Sequence, residues 1–588
     1  ARGRPVRELG PGGNNNANVD TDYKIFSPDL SSGWFIHNYD PPLADCATER
    51  YSNLYRRDPS GGYEAITTAA PTNQDPLRYW PVLQGTSADG RVTVFAANAK
   101  LTSNASGAVD VGKPIYQLYA HVKDPAGGCG ELRLLSTLPN GNAANLASSL
   151  GTPQNVIETR ESTLVNALSE DGTRAYWSMA VNGPGALYLS TEGQPTVTVN
   201  ANPARYWAFA ADGSKAIYER EGELFEYDAN AKTSKSIAKG SQGVVGASEN
   251  LARLYFVSSE AIGGEGSAGQ PNLYLREAAT TKLVGTLAAA DINGSFGQTP
   301  VSVTAPEPIK RSTRISPDGG TLAFLSAAPL TGYDNKDAKD GVANMELYRY
   351  SASADELLCV SCSPSGQRPR GREIEGAEAN TRRVAALLPA WETQDFAPRA
   401  LSEDGRHLFF NSYDALLPTD TNGAADVYEW EAATGAAQCT ERGAALYVPS
   451  SQGCLSLISS GKSPDDSELI DASPNGRDVF FKTASSLLPQ DPGLIDIYDA
   501  RIGGGLPAPP TPPGACEGEA CQGPPAPPDD PTPASASFEG AGNLSEGPSR
   551  PRCTKPKVRR RGRCVEPRKA ARAKRTAPKQ NTNGRAGR

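Results

Sequence analysis

The side chains of this sequence that are placed to do chemistry fall into three groups. The first is acidic. Asp334-Asn-Lys-Asp-Ala-Lys-Asp340 and Asp420-Thr-Asn-Gly-Ala-Ala-Asp426 each alternate hard oxygen ligands within a short run. Calcium takes about 6–8 oxygens, and closely spaced Asp and Asn supply several of them. Neither run follows the helix–loop–helix calcium pattern, and the bidentate Glu that closes that pattern is missing. Asp and Asn also bond their own backbone in ordinary turns. Calcium and a plain turn therefore compete for both loops, and no other cofactor is suggested.

The second group is the cysteines. Ten are present, and eight fall in close pairs: Cys359 with Cys362, Cys439 with Cys454, Cys516 with Cys521 and Cys553 with Cys564. Elimination leaves Cys46 with Cys129. An even count with local pairing predicts disulfides and an oxidising, exported location, extracellular or at the cell surface. Cys359-Val-Ser-Cys362 has redox spacing but lacks the strand–helix context that lowers a thiol pKa, so a structural disulfide is expected. Only three histidines exist, His37, His121 and His407, far apart in sequence. That makes zinc hydrolysis, histidine triads and haem ligation poor readings. A Gly-x-Ser-x-Gly elbow, a Walker loop and a Gly-x-Gly-x-x-Gly run before a helix are all missing. No residue is nominated as catalytic, cofactor-binding or metal-ligating.

The third group is the basic tail. Residues 550–588 carry 16 Lys/Arg against Glu566, or +15, so the remainder of this net −8 chain carries −23. No aromatic follows Phe538, so the base-stacking platforms of single-strand binders are missing. A generic contact with an anionic surface, cell-wall polymer or lipid head group fits better than sequence-specific nucleic acid. A solvated, disordered tail is the competing reading. No apolar run reaches the ~18 residues of a membrane helix.

The elements that must position these groups are set by a repeat. Anchors at Asp29, Asp89, Asp171, Asp212, Asn250, Asp318, Asp404 and Asn475 recur, each preceded two residues earlier by Ser, except at Ala210. Six residues after every anchor stands an aromatic: Phe35, Phe95, Trp177, Tyr218, Phe256, Phe324, Phe410 and Phe481. Aromatics are only 7% of the chain, so this phasing is not chance. Further on come Leu54-Tyr55, Leu118-Tyr119, Leu187-Tyr188, Leu224-Phe225, Leu273-Tyr274, Leu347-Tyr348, Val427-Tyr428 and Ile497-Tyr498. An Asp-Gly turn between strand-like segments reads as a hairpin, because Gly accepts positive φ. Each unit predicts strand A, tight turn, strand B, loop, strand C and a weaker strand D. The first and fifth anchors lack the Gly, so their turns are expected to differ. The fold expected is all-β, a single eight-bladed β-propeller of four-stranded antiparallel blades.

Arg314-Ile-Ser-Pro-Asp-Gly-Gly-Thr-Leu-Ala-Phe324 and Ala400-Leu-Ser-Glu-Asp-Gly-Arg-His-Leu-Phe-Phe410 resemble the repeats of TolB-like, or WD40-like, bacterial propellers. Asp426-Val-Tyr-Glu-Trp430 and Asp496-Ile-Tyr-Asp499 resemble the third strand of that family. The resemblance spans about residues 20–501 and is specific for fold; function is another matter, because such folds host binders and enzymes alike.

Anchor spacings of 60, 82, 41, 38, 68, 86 and 71 residues leave the third and fourth units nearly bare and the others enlarged. The A–B turn never grows, so insertions are expected on the B–C/D–A face. Four segments result: 1–19, with Arg4 to Leu9 able to supply a ring-closing strand; 20–501, the propeller; 502–549, a Pro/Gly-rich linker; and 550–588, the tail. The function expected is a non-catalytic, monomeric binder of a protein or cell-envelope polymer through that face, anchored by the tail. The alternative is a propeller glycosidase or lyase using carboxylates or calcium near the central channel.

Overall fold

The computed structural model describes residues 23–504, except 28–30, 38–40, 111–112, 153–166, 181–182, 293–300, 306–309, 376–380, 391–397, 434–438, 440–444, 489–490 and 492, together with 558–560 and 563–565. Two compact units divide the chain, Ala1–Leu506 and Pro507–Arg588. In the second, Val558–Arg560 and Arg563–Val565 pair as a short antiparallel hairpin. Residues Arg4 to Leu9, and the cysteine pairs Cys516–Cys521 and Cys553–Cys564, lie outside the described residues or side chains.

The first unit is a succession of antiparallel sheets of β-propeller type. The first sheet holds Tyr23–Phe26, Gly33–His37, Asn53–Arg57 and Tyr63–Ala65, strands A to D in order. The second holds Pro81–Thr86, Val92–Ala97, Gln117–Val122 and Glu131–Leu134. The third runs Ser148–Leu150, Arg174–Met179 and Gly185–Thr191, then enters Val197–Phe209. That 13-residue strand is strand D of the third sheet and strand A of the fourth, which continues through Lys215–Arg220, Glu223–Asp228 and Thr233–Ala238. The fifth holds Ser241–Ala247, Arg253–Ser258, Asn272–Glu277 and Thr280–Thr286. The sixth holds Thr313–Ile315, Thr321–Ser326, Asn344–Ser351 and Glu356–Cys359. The seventh holds Ala386–Leu387, His407–Ser412, Asp426–Ala432 and Gly453–Leu457, and the last is the three-stranded Glu468–Ala472, Asp478–Thr483 and Asp496–Arg501.

Successive strand residues face opposite sides of a sheet, and each sheet uses both sides. Tyr255 packs towards the sixth sheet beside Leu322 and Phe324, whereas Phe256 packs towards the fourth beside Ile217 and Leu224. Apolar layers between consecutive sheets form the core. All eight landmark aromatics of strand B stand directly opposite the landmark aromatic of strand C. The register pairs are Phe35 with Tyr55, Phe95 with Tyr119, Trp177 with Tyr188 and Tyr218 with Phe225, then Phe256 with Tyr274, Phe324 with Tyr348, Phe410 with Tyr428 and Phe481 with Tyr498. Ring centroids stand 4.6 Å apart for Trp177–Tyr188 and 6.0 Å for Phe410–Tyr428. Such cross-strand pairs are the unit of sheet stabilisation.

The Ser-x-Asp turn explains its own residues. The Ser316 hydroxyl donates to Asp318 Oδ1 (2.6 Å) and accepts from the Thr321 N–H (2.9 Å), while the Gly320 N–H donates to Asp318 Oδ1 (2.8 Å). The glycine is required twice over at Gly405. Its φ is +69°, and a Cβ there would stand 2.7 Å from Thr321 Cβ of the preceding sheet. The fifth turn was expected to differ and does not. Leu251 takes φ +54° and closes the same bond to the Ser248 carbonyl (2.9 Å), with its side chain buried beside Leu254 and Ala210. Burying a leucine contributes about 1.5–3 kcal/mol, which offsets the roughly 1–2 kcal/mol that left-handed backbone costs. The first such turn falls at residues 28–30, outside the described residues.

The middle residue of the turn carries a further regularity. The Ala88 N–H donates to the Glu170 carbonyl, Glu170 to Ala211, Ala211 to Glu249, Glu249 to Pro317, and Glu403 to Pro474. Every middle residue that has an N–H gives it to the next unit. The links that are missing start at Pro28, Pro317 and Pro474, which have no N–H to give.

Candidate functional site

Strand A of one sheet lies against strand A of the next, as Ser241–Ala247 does against Val197–Phe209 and Thr313–Ile315, so strand A lies innermost, whereas strand D of the fourth sheet, Thr233–Ala238, is exposed. Inner strands bring together side chains with no common sequence signature. Trp207 lies between two guanidinium groups, Arg205 at 5.8 Å and Arg311 at 6.0 Å from its ring centroid, and its Nε1 donates to Glu219 Oε2 (3.1 Å). Arg311 donates to the Ala305 carbonyl (2.8 Å). Arg314 donates to the carbonyls of Pro398 (3.0 Å), Thr313 (2.8 Å) and Pro389 (2.7 Å), and Asp471 lies near enough to act on its charge. Burial pushes both Arg311 and Arg314 down to about 10, so both remain cationic at neutral pH. An acidic molecule thus keeps desolvated positive charge at and beside its inner strands, where an anionic group is favoured.

Residues between strands B and C form long connections in most units, and strand C holds them by its tyrosine. The Leu43 N–H donates to Tyr55 Oη (3.2 Å), Leu101 to Tyr119 (3.2 Å), Ile262 to Tyr274 (3.0 Å), Leu330 to Tyr348 (3.3 Å), Leu416 to Tyr428 (3.2 Å) and Leu487 to Tyr498 (3.2 Å). The hydroxyls also donate back: Tyr119 to the Ala99 carbonyl (2.6 Å), Tyr348 to Ala328 (2.8 Å), Tyr274 to Glu265 (2.7 Å). In the fourth unit strands B and C meet across Glu221-Gly222, there is no loop to hold, and the residue is Phe225.

Insertions also enter D–A connections. In the sixth unit that connection contributes Arg372–Glu375 and Thr381–Val384, a hairpin that pairs parallel with Asn344 and Met345. One insertion departs from the expected face. It lies between strands C and D of the seventh unit, adds Leu446–Val448 as a fifth strand, and is tied by Cys439–Cys454.

A groove of about 320 Å³ opens between the second and third sheets on the turn side. Val92, Leu134, Leu138 and Pro195 give it apolar walls. At its rim Arg133 pairs with Glu131 (2.6 Å) and Glu192 (2.8 Å).

Three expected disulfides are present: Cys46–Cys129, Cys359–Cys362 and Cys439–Cys454. Among the described residues Glu346, Cys359 and Cys362 form a group with metal-binding composition, but the sulfurs are bonded to each other. The histidines stand on separate sheets. His121 Nε2 contacts the Cys129 carbonyl (3.0 Å), His407 Nδ1 contacts Glu429 (2.8 Å), and His37 is buried in the first sheet.

The acidic runs differ from each other. In the first, arginines supply the positive charge: Asp334 pairs with Arg368 (2.6 Å), and Asp337 (3.5 Å) and Asp340 with Arg383. In the second, Asp420 Oδ2 accepts from the Tyr428 hydroxyl (2.5 Å), and Asp426 accepts from Ser459 Oγ (2.5 Å), Asn422 Nδ2 (2.7 Å) and the Gly461 N–H (3.3 Å). Spacing exposed both acidic runs. The inner arginines were not legible, because residues facing one another come from different units.

No family model matches the chain, and no curated protein matches it. Solved structures do. Dipeptidyl peptidase 4 from Porphyromonas gingivalis is 12% identical with a TM-score of 0.35; the alignment covers 81% of this chain, which spans about half (51%) of that one. TolB from Acinetobacter baumannii is 14% identical, with 69% and 75% of the two chains covered and a TM-score of 0.22. The Cps50 (Swd1) β-propeller domain from Myceliophteria thermophila is 11% identical, with 62% and 94% covered and a TM-score of 0.27. The chain is similar to TolB-like and WD40-like β-propellers.

Proposed function

We propose that this chain is an exported, non-catalytic, monomeric eight-bladed propeller that binds a protein or cell-envelope polymer through its loop-bearing face. The observation that carries the reading is the set of six B–C loops, each fixed to strand C by a tyrosine hydroxyl. Loops held this way are presented in one conformation, so binding does not have to supply their ordering entropy. Arg314 on strand A of the sixth sheet and Arg311 just before it favour a ligand with acidic groups. The basic tail at 550–588 acts as a separate electrostatic anchor.

Arrays of cell-wall glycans and acidic peptides probed with residues 20–501 test the reading. Retention that is lost when the 259–271 and 327–343 loops are replaced by short turns is the expected result. Turnover of an arrayed glycan, or binding indifferent to every loop, overturns it.

A further inference from the structure

The residue two places before the strand C tyrosine occupies equivalent surroundings in several units. It is Asn53, Asn272, Glu346 and Asp426 in the first, fifth, sixth and seventh. In each, a hydroxyl from the strand D side donates to its side-chain oxygen: Thr67 to Asn53 (3.0 Å), Thr286 to Asn272 (2.9 Å), Ser361 to Glu346 (2.5 Å) and Ser459 to Asp426 (2.5 Å). What differs is the second terminal atom. In the asparagines it is Nδ2, which ties the B–C loop by donating to carbonyls: Thr48 and Tyr51 for Asn53 (both 2.9 Å), Ser267 (2.9 Å) and Gln270 (3.0 Å) for Asn272. A carboxylate cannot donate those bonds. Something positive has to stand where the amide hydrogens stood.

In the sixth unit burial disfavours the charged form. Glu346 is fully buried, stands beside the disulfide sulfurs, and burial pushes its carboxyl well above the ordinary value. The seventh unit is different because it brings two carboxylates. Asp426 is fully buried and Asp420 is 5% exposed. Gly461 touches both: its N–H donates to Asp426 Oδ1 (3.3 Å), and a Cβ on it would stand 2.8 Å from Asp420 Cα. Asp420 Oδ1 is buried and has no hydrogen-bond partner. None of the named donors to this pair (Tyr428, Ser459, Asn422 and the Gly461 amide) carries a charge. Two desolvated carboxylates with only neutral donors cost several kcal/mol per ion unless a cation joins them.

The last sheet also places two acids beside its strand C tyrosine, but neither is buried, so the desolvation argument does not extend to them. There the Tyr498 hydroxyl donates to Asp491, and Asp491 and Asp496 approach each other closely enough to share a hydrogen bond.

We propose that the B–C loop of the seventh unit binds a divalent cation of calcium type through Asp420 and Asp426. The unpartnered Asp420 Oδ1 and the remaining lone pairs of Asp426 provide the side-chain oxygens, and loop carbonyls and water complete the shell. The ion does for this loop what the Asn53 and Asn272 amides do for theirs. An all-oxygen donor set suits calcium rather than zinc.

The test uses the full chain. Melting is compared in 2 mM calcium — a chosen dose of about that size suits a binding constant of up to ~1 mM — and in excess chelator, and terbium emission is read with excitation of the nearby Tyr428 and Trp430. Calcium should raise the melting temperature by several degrees, and terbium should give sensitised emission that calcium displaces. Asp426→Asn, which installs the residue found in the first and fifth units, should lose the emission and melt the same with and without chelator. Asp420→Ser should lose the emission as well. An unchanged melt with no emission from the unaltered chain overturns the proposal. Emission that survives in both variants overturns it too, because the ion then sits elsewhere.

Discussion

Glu346 shows how much one atom type decides. Its carboxyl is buried, and Oε1 is without a hydrogen-bond partner. Burial first, and then the nearby Asp414 charge, push it well above the ordinary value, against the Ser361 hydroxyl. A carboxyl whose folded value is raised contributes stability that is present below its unfolded value and is lost as pH rises through the folded one. Glu346→Gln, the amide already present at Gln117 in the second unit, removes that loss. The variant should gain about 1–3 kcal/mol at pH 8 and nothing at pH 4, below the ordinary glutamate value. Thermal melts at the two pH values check this, and equal gains at both would show that titration is not the cause. The repeat's aromatics were legible because their spacing is fixed. That they face each other across strands B and C was not, because spacing within a unit does not give register. Leu251 was misread for a related reason: a rule about glycine turns considers backbone cost and ignores what the side chain buries.

At the scale of elements, the tyrosine hydroxyl marks the boundary between a strand and its loop. Tyr274→Phe keeps the ring that faces Phe256 and removes the hydroxyl that receives Ile262 and reaches Glu265. It should cost about 1–3 kcal/mol and speed proteolysis within 259–271, with peptide mapping of the cleavage sites as the readout. Cleavage elsewhere would mean the hydroxyl supports the sheet rather than the loop. The last sheet is the other exposed element. It has three strands, and Ile497, on its terminal strand, is 67% exposed. If residues 4–9 supply the fourth strand, deleting residues 1–12 should lower the melting temperature by several degrees. An unchanged melt would leave that edge to another occupant. Spacing located the insertions well where they enter B–C loops. The C–D insertion of the seventh unit escaped, because a longer interval between landmarks does not say on which side of strand D the extra residues leave.

For the whole molecule, charge is divided between a body of −23 and a tail of +15 separated by a proline-rich stretch. Salt at about 0.15 M screens exposed charges beyond about 8 Å, and a proline-rich stretch of this length is long enough to exceed that. Truncation after Gly540 should leave the melt of the first unit unchanged and abolish retention on an anionic polymer at low salt. Retention equal to that of the full chain would remove the tail from the binding account. A truncated chain that unfolds would show that the tail belongs to the fold.

The amide relay between turns has a mechanical consequence. It runs unbroken from Ala88 to Pro317, joins Glu403 to Pro474, and stops wherever proline occupies the middle position. Two of the interruptions are bridged by other means. Cys46–Cys129 and the Trp34–Thr93 hydrogen bond clasp the first sheet to the second, and Arg349, stacked over Trp430, reaches the Gly405 carbonyl between the sixth and seventh. The third interruption starts at Pro474, in the sheet that leaves Ile497 uncovered. Among the described residues the turns are therefore linked continuously from the second sheet to the sixth, and no amide link leaves the turn at Pro474. Under load or heat the sheet beyond Pro474 should loosen first, while the five sheets ahead of Pro317 move as one piece.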